Sequence, residues 1–281
     1  TSLKSIFRQA EESKIVVSAH EINRGEEPDL AYREGDDLIF LSKSTYAEVR
    51  EEIAKLAAYE EAQVITPTKR GQLGTIELNK MLQNSLNPKE EWKQEVHKTP
   101  FENENHLDES SLNSESLQRK TQNSKVSDCN YEVFRLGDRV MQIKNNYSKV
   151  WKIAAVDIEG SGLFNGDMGR IIEVDPLNEV ISVEFDEGKV AQYERKDFKE
   201  LQLSYAITVH KSQGSEFPMV VMPVANFGPV LGTKNLIYTG ITRGRDNVVL
   251  LGDEKALIRM IHRNTSRDRN SGMKDRLASF L

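Results

Sequence analysis

The stretch AITVHKSQGSEFP, residues 206–218, places a dense set of polar groups between two apolar runs. These runs, residues 201–205 and residues 219–224, have the length and composition of buried strands. The stretch itself carries hydroxyls, an imidazole, an ammonium, an amide, glycine and a carboxylate. Such loops at the edge of a parallel sheet are where α/β proteins place their binding sites. We therefore predict an α/β fold in which residues 203–205 and 219–224 are neighbouring strands of a mostly parallel sheet.

The first third of the chain alternates between predicted helices, strands and polar loops. Ser13 can cap a helix that ends at Gly25. Thr45 and Glu48 form a capping box at the start of another helix. Residues 63–66 predict a strand that leads into the polar loop PTKRGQLGT and a further helix. This order of elements is typical of α/β domains.

The pattern changes between residues 134 and 201, where short, alternating, β-rich runs are separated by turn residues. We predict a small β-barrel here, with residues 150–162 as a long loop within it. The α/β pattern resumes afterwards, so the barrel is inserted into a larger domain. The predicted organisation is an α/β domain in two parts, residues 1–88 and 202–281, a linker of residues 89–133, and a barrel of residues 134–201.

The linker prediction depends on composition. Residues 89–130 are rich in Glu, Ser, Asn, Gln and Lys and contain few aliphatic side chains. Such a segment buries too little surface to offset the entropy lost on ordering, so we predict a flexible polar linker.

The whole-chain composition is that of a soluble globular protein, with 38% hydrophobic and 29% charged residues. No apolar run has membrane-spanning length and no signal peptide is visible, which predicts a cytoplasmic protein. A single cysteine, Cys129, excludes an internal disulfide, and no spacing of His, Asp and Glu indicates a metal site. The net charge of -6 argues mildly against nucleic-acid binding, although a local basic groove matters more than the total.

Five motifs together resemble superfamily 1 DNA helicases of the RecD/TraA group, relatives of the exodeoxyribonuclease V alpha subunit. VHKSQGSEFP and YTGITRGR resemble motifs V and VI, and IFRQA, residues 6–10, resembles motif IV. GDRVMQIKNNY, residues 137–147, and FNGDMG, residues 164–169, resemble the inserted β-domain. The resemblance implies a RecA-like motor domain of the P-loop NTPase type, with a mostly parallel sheet flanked by helices and an inserted SH3-like barrel.

The resemblance also implies catalytic arginines. In these helicases the arginines of motifs IV and VI stabilise charge on the transferred phosphoryl group, and the matching positions are Arg8 and Arg243. Arg245 is a nearby substitute that the spacing does not exclude. Without the motif, either arginine would be an ordinary surface residue.

Gln213, Gly214 and Glu216 face the nucleotide by the same resemblance. Glycine allows close approach of the backbone to a ligand, and a carboxylate can accept a hydrogen bond from a ribose hydroxyl. For Glu216 a solvated carboxylate at a helix end is an equally good interpretation.

Two further groups of side chains suit a nucleic-acid backbone, because hydroxyl, imidazole and cationic donors bind phosphates without reading sequence. The first group is Thr208, His210, Lys211 and Ser212. The second precedes a predicted helix, and a solvated basic turn explains it equally well; it comprises Thr66, Thr68, Lys69 and Arg70.

The sequence contains no G-x-x-x-x-G-K-[ST] phosphate loop. The resemblance places that loop and the Mg²⁺ ligands in an N-terminal motor domain, so ATP with Mg²⁺ is expected to bind mainly there. We interpret the chain, which starts at Thr1, as a fragment of a monomeric helicase of DNA repair and recombination that moves 5′ to 3′ on single-stranded DNA. The alternative is a non-enzymatic nucleic-acid-binding module built around an SH3-like barrel.

Overall fold

A computed structural model describes residues 13–98, 132–153 and 156–263 of the chain. The chain divides into two compact units. The first consists of Thr1–Leu78 and Ala206–Leu281, and the second of Asn79–Tyr205. A five-stranded parallel sheet lies in the first unit and a seven-stranded antiparallel sheet in the second. The predicted mixed α/β fold with a parallel sheet is confirmed. Arg8 and IFRQA lie outside the described residues.

In chain order the described helices and strands are α1 (Lys14–Arg24), β1 (Leu38–Ser42), α2 (Tyr46–Leu56), β2 (Ala62–Thr66), α3 (Thr75–Leu86), β3 (Glu95–His97), β4 (Val133–Arg135), β5 (Arg139–Gln142), β6 (Asn146–Ile153), β7 (Ile158–Leu163), β8 (Met168–Asp175), β9 (Val180–Phe185), β10 (Val190–Glu194), β11 (Leu201–Leu203), β12 (Ala206–Thr208), β13 (Phe217–Val224), α4 (Gly228–Leu231), α5 (Lys234–Ile241), β14 (Gly244–Gly252) and α6 (Glu254–His262). None of these helices has the length and apolar character needed to cross a membrane.

Local signals explain the first helices. The Ser13 hydroxyl accepts a hydrogen bond from the Val16 amide, and α1 ends at Gly25, whose φ of 85° suits glycine. The Thr45 hydroxyl accepts from the Glu48 amide at 3.2 Å, as the capping box predicts. The Glu48 carboxylate accepts in return from the Ser44 amide at 3.0 Å, one residue earlier than the motif expects.

The parallel sheet has the strand order β1-β14-β13-β2-β12. Its central strands carry the core, since Val220, Val221, Val248 and Leu250 are at most 4% exposed. Burying each such side chain stabilises the fold by roughly 1.5–3 kcal/mol.

The predicted pairing of residues 203–205 with residues 219–224 is wrong. The strand that joins the parallel sheet in this part of the chain is β12, which starts only at Ala206. In the sheet, β2 lies between β12 and β13. The preceding strand, β11, pairs antiparallel with β5 in the other sheet. The apolar run 201–205 therefore belongs to the second unit, and the first unit resumes at Ala206.

The antiparallel sheet of the second unit has the order β11-β5-β8-β9-β10-β6-β7. Phe134, Tyr193 and Phe198 are the largest fully buried side chains among the described residues of the second unit, and the rings of Phe134 and Phe198 meet edge to face at 5.9 Å. The predicted loop at residues 150–162 is instead largely the hairpin of β6 and β7.

The described part of the predicted linker is ordered structure rather than a linker. β3 lies within it and pairs with β4. Lys98 donates its amide to the Glu132 carbonyl at 2.9 Å and its ammonium to the Glu132 carboxylate at 2.7 Å. Residues 99–131 lie outside the described residues.

A buried carboxylate organises the second unit. Asp138 is fully buried, and each of its oxygens accepts two hydrogen bonds. The donors are the Gln83 and Asn87 amides at 2.6 and 2.7 Å, the Arg135 backbone N–H at 2.7 Å and the Tyr205 hydroxyl at 2.9 Å. Burial raises the pKa of Asp138 above its ordinary value, while the four donors act in the opposite direction.

Candidate functional site

Two polar loops leave the parallel sheet side by side. Thr66 ends β2, Thr208 ends β12, and the two residues are partners in the register of these parallel strands. The Val209 amide continues the pairing by donating to the Thr66 carbonyl at 3.1 Å. Residues 67–74 and 209–216 therefore begin at the same edge, and the two groups of predicted DNA-binding residues are brought together.

The first loop turns its hydroxyls inward and its cations outward. Thr66 is fully buried and donates its hydroxyl to the Leu73 carbonyl at 2.6 Å. The Thr68 hydroxyl stays within the loop, where it donates to the Arg70 carbonyl at 3.1 Å and accepts from the Arg70 amide at 3.3 Å. Lys69 and Arg70 are exposed, and neither forms an ion pair with another described residue. The Thr66 hydroxyl therefore closes the loop and is not free for a ligand.

The second loop also has a buried hydroxyl and more exposed basic side chains. Ser212 is fully buried and donates its hydroxyl to the Val209 carbonyl at 2.8 Å. Thr208 is 6% exposed, and its carbonyl accepts from the amides of Lys211 and Ser212. His210 is exposed and Lys211 is half-buried. The basic cluster at this edge therefore consists of four side chains, the exposed ones of Lys69, Arg70 and His210 and the half-buried one of Lys211.

The second loop runs from the carboxyl end of β12 to the amino end of β13, because both strands are parallel to β2. We call these two sides of the sheet, where the strands end and begin, its carboxyl edge and its amino edge. At that amino edge Phe217 is paired with Gly244, and the Phe217 amide donates to the Arg243 carbonyl at 2.9 Å. Gln213, Gly214 and Glu216 are exposed on the way. At Gly214, which has a φ of 94°, a Cβ would meet no atom within 4 Å, so space beside this backbone is open.

Arg243 is held at this amino edge, just after α5. Its Nε donates to the Thr239 carbonyl at 3.2 Å and Nη1 to the Ser215 carbonyl at 3.3 Å. Nη2 donates to the Thr242 hydroxyl at 3.3 Å. The structure thus joins Arg243 to the loop that carries Gln213 and Glu216, although these are nearly thirty positions away in sequence (Ser215 and Arg243 are 28 apart).

Arg245 has different surroundings. It lies in β14 rather than on a helix, and its side chain is 59% exposed. Its guanidinium pairs with the adjacent Asp246 carboxylate at 2.9 Å, and this hydrogen bond raises the pKa of Arg245 and lowers that of Asp246. Arg243 has no such carboxylate partner among the described residues.

The donor set at the amino edge suits one side of a nucleotide. A guanidinium, an amide and a carboxylate can meet phosphate and ribose oxygens. Among the described residues no group of three or more His, Cys, Asp and Glu side chains could hold a metal ion. The chemistry of these residues fits one wall of a nucleotide site.

Sequence reasoning missed three contributors to this site. The Thr242 hydroxyl and the carbonyls of Thr239 and Ser215 bind the guanidinium directly, and none of them was singled out. The adjacency of Thr242 to Arg243 was a visible signal, whereas nothing local indicates a contact made across 28 positions by a backbone carbonyl.

Two family models match the chain. Residues 112–185 match the "ATP-dependent RecD-like DNA helicase SH3 domain", and residues 203–251 match the "UvrD-like helicase C-terminal domain". The second match contains both β12 and Arg243.

Curated relatives agree with these models. The chain is 28% identical to the ATP-dependent RecD2 DNA helicase of Deinococcus radiodurans over 90% of the chain and 29% of that protein. It is 30% identical to the RecBCD enzyme subunit RecD of Buchnera aphidicola over 48% of the chain and 21% of that subunit. The chain therefore spans less than a third of either relative. Among solved structures, Bacteroides Pif1 bound to ssDNA shares 19% identity with a TM-score of 0.47 over 88% of the chain and 50% of that protein.

By these matches the chain is similar to DNA helicases of the RecD type. The regions matched by family models are an SH3 domain of RecD-like helicases and a C-terminal domain of UvrD-like helicases.

Proposed function

We propose that the complete protein that carries this chain is an ATP-dependent DNA helicase, and that this chain supplies an arginine to ATP and a grip to single-stranded DNA. The observation that supports this most directly is the hydrogen bond from Arg243 to the Ser215 carbonyl of the second loop, which also carries His210 and Lys211. Nucleotide-facing and DNA-facing groups then lie at opposite edges of one sheet and share a single connecting loop.

At the amino edge, Arg243 meets the negative charge that develops on the γ-phosphoryl group during hydrolysis, with Arg8 as a second contributor. Gln213, Gly214 and Glu216 form the adjacent wall for the nucleotide. ATP and Mg²⁺ are held mainly by an N-terminal motor domain, because this sequence has no phosphate loop. Bound Mg²⁺ would neutralise phosphate charge there.

At the carboxyl edge, Lys69, Arg70, His210 and Lys211 contact phosphates of the strand without reading its sequence. Thr66 and Ser212 support the two loops through their internal hydrogen bonds, and Thr208 anchors the second loop. Closure of the two motor domains around ATP shifts the grip on the strand, and repeated closure moves the strand stepwise, in the 5′ to 3′ direction that the resemblance implies. The protein acts as a cytoplasmic monomer.

The test compares ATP hydrolysis by the complete protein and by this 281-residue chain, with and without single-stranded DNA. We expect the complete protein to hydrolyse ATP faster when the strand is added, and the chain alone to show no significant hydrolysis. A complete protein that binds the strand without any hydrolysis supports the binding-module alternative. Robust Mg²⁺-dependent hydrolysis by the chain alone contradicts the proposal that ATP and Mg²⁺ are held mainly by an N-terminal motor domain.

A further inference from the structure

The Arg243 guanidinium has a defined number of free donors. It carries five N–H groups, and three of them are engaged, one each on Nε, Nη1 and Nη2. The two that remain, one N–H on Nη1 and one on Nη2, meet no acceptor among the described residues. A guanidinium can use one N–H from each terminal nitrogen for a bidentate contact with phosphate oxygens. The contacts with described residues therefore leave one donor on each terminal nitrogen for a ligand.

One of the three acceptors is a side chain, the Thr242 hydroxyl, and the other two are backbone carbonyls. The Thr242 hydroxyl donates its own hydrogen to the Thr239 carbonyl at 3.1 Å. Because that hydrogen is committed, the oxygen presents its lone pairs to Nη2. The Thr242 backbone is fixed as well, since its amide donates to the Tyr238 carbonyl at 3.1 Å at the end of α5.

We propose that Thr242 is a positioning residue that sets the rotation of the Arg243 guanidinium toward the phosphoryl group. This inference rests on the proposed role of Arg243. Nε and Nη1 are held by carbonyls on two different segments, α5 and the second loop. The contact of Nη2 with Thr242 adds the third point that fixes the plane. Without it the long side chain samples other rotamers, and fewer encounters place both free N–H groups on the phosphate.

The matched variants are Thr242→Val and Thr242→Ser in the complete protein. Valine keeps the shape and removes the hydroxyl, whereas serine keeps the hydroxyl. We expect Thr242→Val to lower kcat for strand-stimulated ATP hydrolysis by about 10-fold to 10²-fold, with KM for ATP changed by less than about twofold. Thr242→Ser should restore most of the turnover. A residue with only a structural role would lower the melting temperature in both variants without this kinetic pattern.

Two further measurements keep the outcome clear. Thr242→Ala is a second deletion of the hydroxyl, in case valine distorts the end of α5, and it should reproduce the loss of kcat. In an Arg243→Ala background, Thr242→Val should cause no additional loss, because a positioning residue acts through the residue it positions. If Arg243→Ala loses turnover while both Thr242 deletions keep it, Thr242 has no positioning role. If all of these variants keep normal turnover, the proposed role of Arg243 itself is wrong.

Discussion

The chain contains two polar clusters that are built in opposite ways. Around Asp138, two oxygens with four acceptor positions meet four donors, and the carboxylate is fully buried. Around Arg243, three of five donors are engaged and the side chain is half-buried. A buried polar cluster with every group satisfied fixes a fold. A fixed side chain that keeps unused donors can bind a ligand, so this difference distinguishes the structural cluster from the one for which we propose a function.

The largest effect is expected at the cluster with unused donors. In the complete protein, Arg243→Ala should lower ATP turnover by about 10³-fold to 10⁵-fold, because the charge that it meets develops during phosphoryl transfer. Binding of ATP should fall less, and the melting temperature should change little, because a half-buried polar side chain is not core. Arg243→Lys should rescue poorly, since an ammonium lacks the planar fork. Steady-state kinetics and thermal unfolding measure these effects.

Arg245→Ala is the internal control, because Arg245 already pairs with Asp246 in an exposed position. It should keep near-normal turnover. The opposite result, with turnover lost in Arg245→Ala and kept in Arg243→Ala, would assign the catalytic role to Arg245.

An intermediate effect is expected at the satisfied cluster. Asp138→Asn keeps the shape but turns an amide NH₂ toward groups that are themselves donors, so the free energy of unfolding should fall by about 2 kcal/mol. Denaturant unfolding of the chain measures this change. The control is Asp186→Asn, at an exposed aspartate of the same unit with no side-chain hydrogen bond among the described residues. If the two variants have the same free energy of unfolding, the Asp138 carboxylate does not stabilise the fold.

The same carboxylate predicts a pH dependence. Since burial raises the pKa of Asp138, the folded protein binds this proton more tightly than the unfolded chain does. The stability contributed by Asp138 therefore decreases as the pH rises from the ordinary value of 3.8 through the raised value of the folded state. In Asp138→Asn this component of the pH dependence should be absent.

The smallest effects are expected at the basic cluster, where we propose that each side chain makes a separate contact with phosphate. In the complete protein His210→Ala and Lys211→Ala should each weaken single-strand binding to a similar degree for all sequences. Where a phosphate contact is lost, the slope of log affinity against log salt should become shallower by about 0.7. Lys69→Ala and Arg70→Ala should behave alike if both loops hold the strand. Unchanged affinity across a salt series would mean that these residues form a solvated surface that does not contact the strand.

Short-range signals predicted the helices well. The caps at Ser13 and Thr45 and the turn at Gly25 are decided within a few residues, and the structure has them as predicted. Strand neighbours are decided by contacts across the whole chain, and here the prediction failed, because β2 lies between β12 and β13. The apolar run at residues 201–205 has one composition throughout, so nothing in it marked the passage between the two units.

The missed hairpin of β6 and β7 has a physical reason. Gly160 and Gly162 interrupt the alternation expected of a strand. A Cβ on Gly160 would lie 2.5 Å from the Trp151 ring, which packs directly on that backbone. Glycine is required there by the indole of the partner strand rather than by a turn.

In the candidate site the sequence predicted the residue types but not their directions. Resemblance indicated Arg243, and the exposed positions of His210, Lys69 and Arg70 agree with the predicted grouping. The hydroxyls of Thr66 and Ser212 turn inward to carbonyls of their own loops. A sequence shows that a hydroxyl is present, but the acceptor that it reaches is decided by the path of the backbone.

The contact between Lys98 and Glu132 has a consequence for how this protein can evolve. These two residues are 34 apart in sequence, and they are hydrogen-bonded to each other through both backbone and side chains. Each doubling of a connecting segment costs only about 0.6 kcal/mol in closure entropy. We therefore expect insertions or deletions between Lys98 and Glu132 to leave the pairing of β3 with β4 intact.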